Sequence, residues 1–153
     1  ESTSGGKSRR QGVELGLRAH LTPALVLVGE WTFNDARYRR LITEDGDTLS
    51  GERVFNTAKY LGSVALELAP SEAIWQVQLS TNVVGPYTPF DEPGVRLDPY
   101  ALLQLSGNVR IGTWILQLGA RNLLNHTYPE LRAGGFIVPG QPRSVYGGIR
   151  TVF

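Results

Sequence analysis

The sequence predicts an all-β chain: an antiparallel, up-and-down segment of a transmembrane β-barrel, about seven strands long and open as it stands. Three observations carry this expectation. Seven stretches alternate in polarity with a period of two, the connections between them alternate between short and long, and the chain runs out on a terminal aromatic strand. No stretch sustains a helical period.

The stretches lie at roughly 11–21, 24–38, 58–69, 74–85, 99–111, 114–124 and 142–153. In the first, Val13, Leu15, Leu17, Ala19 and Leu21 share one face, with Glu14, Gly16, Arg18 and His20 on the other. The second sets Leu25, Leu27, Gly29, Trp31 and Phe33 against Val26, Val28, Glu30, Thr32 and Asn34. The third separates Tyr60, Val64, Leu66 and Leu68 from Ser63, Ala65 and Glu67. The fourth separates Trp75, Val77, Leu79 and Val83 from Gln76, Gln78, Ser80 and Asn82. The fifth and sixth oppose Leu103, Leu105 and Val109 to Gln104, Asn108 and Arg110, then Trp114, Leu116 and Leu118 to Gln117 and Arg121. The seventh sets Val145, Gly147, Ile149, Thr151 and Phe153 against Tyr146, Gly148, Arg150 and Val152. A polar face repeated so consistently calls for water on one side and an apolar phase on the other.

Connection lengths add direction. Thr22-Pro23, Pro70 to Ala73 and Gly112-Thr113 are tight turns, whereas 39–57, 86–98 and 125–141 are long loops rich in Gly, Pro and charge. In an outer-membrane barrel the turns are periplasmic and the loops extracellular. Residues just after two short turns, Trp75 and Trp114, then share a depth and a face with Phe153, forming a lower aromatic girdle; Phe33 and Tyr60 supply part of an upper one. The longest apolar run, Ala24 to Val28, is far short of the ~20 residues a spanning helix needs. Seven strands are an odd count, and bacterial barrels use even ones, so the edges would leave backbone groups unpaired in hydrocarbon. With no methionine and a polar Glu1 to Ser8 opening, the chain is expected to be a piece of a longer protein.

Composition narrows the function classes. Fifteen basic against fourteen acidic residues give a formal charge of +1, without the one-sided basic stripe that nucleic acid requires, so none is expected as a partner. Absent cysteine removes disulfides and thiolate metal sites. His20 and His126 have no spaced partners for a triad or a metal site, and Glu44-Asp45-Gly46-Asp47 lacks the ligand spacing of a calcium loop. Neither catalysis nor a resident cofactor or metal is expected.

The last third is similar to the C-terminal end of TonB-dependent outer-membrane receptors. That tail has a strand ending Gly-x-Arg-Asn-Leu-x-(Asn/Asp)-x-x-Tyr, a Gly-rich loop with Pro-Gly-x-Pro-Arg, and a last strand closing on Phe. Here these are Gly119-Ala120-Arg121-Asn122-Leu123-Leu124-Asn125-His126-Thr127-Tyr128, then Pro139-Gly140-Gln141-Pro142-Arg143, then Val145 to Phe153. Gln11 to Leu15 and Trp31 to Tyr38 resemble earlier strands of the same barrel, while Val54 to Tyr60 lacks the proline often found before its strand. The resemblance implies that residues 1–153 are the C-terminal portion of a ~22-stranded, plugged barrel. It also implies a bacterial outer-membrane receptor for active uptake of a scarce nutrient: a ferric siderophore, haem, cobalamin or a glycan. Its partners are then outer-membrane lipid, the small-molecule or metal-chelate substrate, and TonB, which acts through a plug domain that this sequence does not contain.

On this reading Glu14, Arg18, Glu30, Asn34, Gln76, Gln78, Asn82, Gln104, Asn108, Arg110, Gln117 and Arg121 face the lumen, where they solvate the wall, meet the plug or shape a substrate path. Ligand capture is expected in the long loops, at Tyr87, Phe90, Asp91 and Arg96 in one and Tyr128, Arg132 and Phe136 in another, because Tyr and Arg anchor recognition surfaces. Two rivals stand beside it. One is a small self-contained barrel serving as a passive pore or adhesin; the other is a soluble lipocalin-type module whose greasy faces point inward.

Overall fold

The computed structural model describes residues 6–42, 46, 48–90, 92–133 and 135–151. Its elements are β1 (Lys7–Thr22), β2 (Leu25–Arg40), β3 (Tyr60–Leu68), β4 (Trp75–Val84), β5 (Tyr100–Ile111), β6 (Trp114–Arg121), β7 (Pro129–Ala133), β8 (Phe136–Pro139) and β9 (Ser144–Thr151). Among the described residues every element is a strand. Seven of them form one sheet in the order β1-β2-β3-β4-β5-β6-β9, each antiparallel to its neighbour. This is an up-and-down meander, with β1 and β9 as its two edges.

Tight turns join the strands at one rim. Gly112, at φ 59°, occupies the first central position of the Ile111-Gly112-Thr113-Trp114 hairpin, as a type II′ turn requires. Ala73 donates its N–H to the Pro70 carbonyl at 2.9 Å, closing the β3–β4 turn. The first turn lies at Pro23-Ala24, one residue later than the sequence suggests, with the Thr22 hydroxyl accepting from the Ala24 N–H at 3.2 Å.

Two differences from the sequence reading concern the opposite rim. The stretch 125–141, expected as a loop, contains the β7–β8 hairpin. Its strands are five and four residues long and bounded by Pro129 and Pro139, too short to register as alternation. The first strand begins at Lys7 rather than near Gln11, because Lys7-Ser8-Arg9-Arg10 has no apolar alternation yet pairs with residues 36–40 of β2.

Packing is unlike that of a water-soluble domain. The buried apolar residues Ala36, Leu49, Val54 and Pro89 lie at the long-loop end, not between the sheet and a second layer. Along the strands the apolar face is uncovered: Leu17 is 57% and Leu118 69% exposed. An apolar wall of this extent needs an apolar phase against it.

Candidate functional site

Directly opposed residues of an antiparallel pair point to the same side of the sheet, so the register alone sorts the side chains. Gly16 opposes Glu30, which opposes Ser63, which opposes Asn82. Lower down, Glu67 opposes Gln78, Gln78 opposes Ser106, Ser106 opposes Gly119, and Gly119 opposes Tyr146. The next row runs Gln76, Asn108, Gln117 and Gly148. Strand periodicity then brings Glu14, Arg18, Asn34, Gln104, Arg110 and Arg121 to this same polar face. Trp75 opposes Val109 and Trp114 opposes Ile111 on the other face, while Phe153 lies outside the described residues.

The polar face is hollowed. Glu67, Gln76, Gln78, Ser106, Asn108, Gln117 and Tyr146, drawn from five neighbouring strands, line a cavity of about 400 Å³. The Gln78 amide donates to Glu67 at 3.3 Å, and Arg18 reaches across β2 to the same carboxylate at 3.4 Å. That ion pair is solvent-exposed and therefore weak. Arg121 lies over the Tyr146 ring, 4.9 Å from its centroid, and Gly119 leaves the room that ring occupies. Arg110 instead turns to the lower rim, its Nε donating to the Gly112 carbonyl at 3.2 Å.

At the long-loop end the three connections pack on one another. Tyr38 meets Phe55 edge-on at 5.7 Å, and Phe55 meets Phe90 at 5.9 Å. Phe90 pairs through its backbone with Ala133, so the loop after β4 reaches the β7–β8 hairpin. Arg132 donates to Oε2 of Glu92 through Nη2 at 2.9 Å and Nε at 3.0 Å, and the Gly135 N–H donates to the other carboxylate oxygen. Glu92 is largely covered, so this charge-assisted contact, formed across 40 residues of sequence, fixes one loop to the other.

Tyr87, Tyr100, Glu130, Leu131 and Arg132 line a second cavity of about 350 Å³ between the sheet and the hairpin, with Asn56, Leu61 and Val84. Burial pushes the Tyr87 hydroxyl above its ordinary value of 10.0, so it remains a neutral donor in physiological conditions. Of the loop residues singled out from sequence, this cavity brings together Tyr87 and Arg132. Tyr128 stacks on Tyr100 at 4.7 Å behind it, while Phe90, Arg96 and Phe136 are exposed, Phe136 to 82%. Asp91 lies outside the described residues.

Three contributors escape the sequence reading. Tyr100 looks like the first residue of a strand; only the fold stacks it on Tyr128. Trp31 joins Phe33 and Tyr60 in a three-ring cluster with centroids 6.3 to 6.4 Å apart, its indole lying flat over Gly62, where a Cβ would stand 2.5 Å away. Asn122, legible as part of a motif, acts as a clamp: it is 3% exposed with φ 49°. Its Nδ2 donates to the carbonyls of His126 and Gln141 at 2.9 and 3.0 Å, and its Oδ1 accepts from the His126 N–H at 2.8 Å, tying both ends of the hairpin-bearing segment together.

A seven-strand antiparallel meander with one continuous apolar face, one hollowed polar face, and turns and loops segregated to opposite rims is a section of a β-barrel wall. The family described as TonB dependent receptor-like, beta-barrel matches residues 2–123, and the chain belongs to that family. Among solved structures the chain is similar to the ferric-catecholate import receptor Fiu of E. coli K12 (TM-score 0.75, 19% identity, 97% of this chain and 21% of that one). It is also similar to the siderophore receptor PiuA of Acinetobacter baumannii (0.75, 16%, 94% and 22%) and the ferric yersiniabactin uptake receptor FyuA of Yersinia pestis (0.72, 21%, 94% and 23%). The chain thus spans about a fifth of the length of the structures it matches, and no curated protein matches its sequence.

Proposed function

We propose that this chain is the C-terminal wall of an outer-membrane TonB-dependent receptor, a transporter and not an enzyme, that takes up a ferric siderophore. Further strands would pair with the two edges and close the barrel. The observation that carries the reading is the family match over residues 2–123 on a sheet whose uncovered apolar face and hollowed polar face suit lipid and lumen respectively. In this account the twelve polar residues from Glu14 to Arg121 line the lumen against a plug, Trp75, Trp114 and Phe153 mark the periplasmic interface, and Trp31, Phe33 and Tyr60 mark the outer one. The loop cluster around Tyr87 and Arg132, with Phe90, Asp91, Arg96, Tyr128 and Phe136 near the mouth, meets the ligand. A ferric chelate is favoured over haem, cobalamin or a glycan because the similar structures are named as ferric-chelate and siderophore receptors.

The test is uptake of radioactive iron by iron-starved cells carrying the full-length receptor, offered as catecholate, hydroxamate and carboxylate chelates with and without a functional TonB. Accumulation from at least one chelate that disappears with TonB is expected. Iron entry that persists without TonB would instead indicate the passive pore.

A further inference from the structure

We propose that the outward face of β1 and β2, above the apolar band, is a binding site for phosphate-bearing headgroups of the outer lipid leaflet. This inference rests on the reading of the apolar face as the lipid-facing one. On that face Val13 opposes Phe33 at the top of the band, beside the Trp31–Phe33–Tyr60 ring cluster that marks an interface. Immediately beyond, the chemistry changes. Gln11 opposes Asp35, Arg9 opposes Arg37, and Arg37 pairs in turn with Arg53 in the following loop.

Gln11, Val13, Phe33, Asp35, Arg37, Arg53 and Lys59 surround an open hollow of about 690 Å³. Three cations, Arg37, Arg53 and Lys59, thus line the hollow with one carboxylate, Asp35, and a fourth, Arg9, stands opposite Arg37 and bonds to Gln11, in a chain whose formal charge is only +1. The density is local.

The intramolecular contacts leave donors to spare. Arg37 uses Nε on Asp35 at 2.9 Å and Nη1 on the Gly51 carbonyl at 2.9 Å. Among the described residues Arg53 makes only long contacts, 3.5 Å to the Asn34 carbonyl and 3.9 Å to Asp35. Arg9 holds the Gln11 amide oxygen through one Nη at 2.6 Å. Among the described residues Arg9 and Lys59 form no ion pair. A guanidinium carries five N–H donors in a fork that matches two phosphate oxygens, so each arginine here retains unused donors.

Depth fixes the partner. Positions two and four residues past Phe33 stand roughly 5 to 10 Å beyond the hydrocarbon boundary for strands rising about 3.3 Å per residue and tilted about 40°, which is headgroup depth. Long arginine and lysine side chains extend there while their stems stay on apolar surface. An anionic headgroup seated in the hollow would meet the cations above and the aromatic cluster below.

The experiment uses the full-length receptor reconstituted in zwitterionic nanodiscs, titrated with diphosphorylated lipid A and separately with its dephosphorylated form, with bound lipid counted by native mass spectrometry. The triple variant Arg9→Gln, Arg53→Gln, Lys59→Gln is compared with Arg150→Gln, a control at the opposite end of the sheet. The expected result is preferential retention of the phosphorylated lipid, weakened about tenfold or more in the triple variant and unchanged in the control. Equal retention of both lipids, an unchanged triple variant, or displacement of the lipid by millimolar inorganic phosphate would overturn the proposal. Insertion into the nanodisc is scored first, from heat-modifiable gel mobility. A receptor that does not insert contradicts the barrel reading itself, whereas one that inserts without discriminating headgroups contradicts only this inference.

Discussion

At the residue scale, Asn122 shows how one side chain can organise a long loop segment. It is in the left-handed region that asparagine tolerates better than most residues, and it satisfies its amide with three backbone partners on both ends of the hairpin-bearing stretch. Asn122→Ala removes those three hydrogen bonds, leaves the part-buried backbone groups of His126 and Gln141 without that partner, and places alanine at positive φ, so it should destabilise the 124–141 segment by about 2 to 4 kcal/mol. Hydrogen exchange of the amides of residues 126–140 measures this; faster exchange confined to that segment is expected, and unchanged protection would deny the clamp. Gly140 completes the same device. The Tyr128 ring fills the space a Cβ of Gly140 would need, and the Tyr128 carbonyl accepts the Gly140 N–H at 2.7 Å, so the Tyr128 and Pro-Gly portions of the motif read from sequence touch each other.

At the scale of the element, each strand separates an apolar face from a polar one. Leu105 sits mid-strand in β5, opposite Leu79 on one side and Ala120 on the other, whereas its neighbour Gln104 faces the polar side opposite Ser80. Leu105→Arg should therefore cost about 2 to 4 kcal/mol in a bilayer, as an arginine near the midplane does, and Gln104→Arg much less. Denaturant unfolding of the two variants of the full barrel in vesicles, measured side by side, should show that order; equal costs would remove the distinction between the faces.

The seven sheet strands were legible because a sheet with one apolar and one polar face writes period-two polarity into every strand. The hairpin was not, since Pro129–Ala133 and Phe136–Pro139 are short and sit in the loop layer, where no such constraint acts. The Glu92–Arg132 pair was equally unreadable: two charged residues 40 positions apart become neighbours only when β5 and β6 have returned the chain to the same rim. The place of Trp31 in its ring cluster was unreadable for a related reason, because its ring partner Tyr60 comes from the next strand across a long loop.

At the scale of the molecule, the sheet is a wall without a core. Its buried apolar side chains gather under the loops, and its broad apolar face is left for something outside the chain to cover. The polar face, with its cavity spanning five strands, is left for water or for another domain. Under the proposed function both facts follow from one arrangement, in which lipid and lumen replace the interior of a soluble protein. The sequence carries no cysteine, so in this segment a single introduced cysteine reports on its own position. Spin labels placed one at a time at residues 76 to 82 of the full-length receptor in a bilayer would report collision with oxygen, which concentrates in lipid, or with a water-soluble nickel chelate. Oxygen access peaking at 77, 79 and 81 and nickel access at 76, 78, 80 and 82 is the predicted result. The inverse alternation would contradict the account, since it would put the glutamines against lipid and the leucines around the axis.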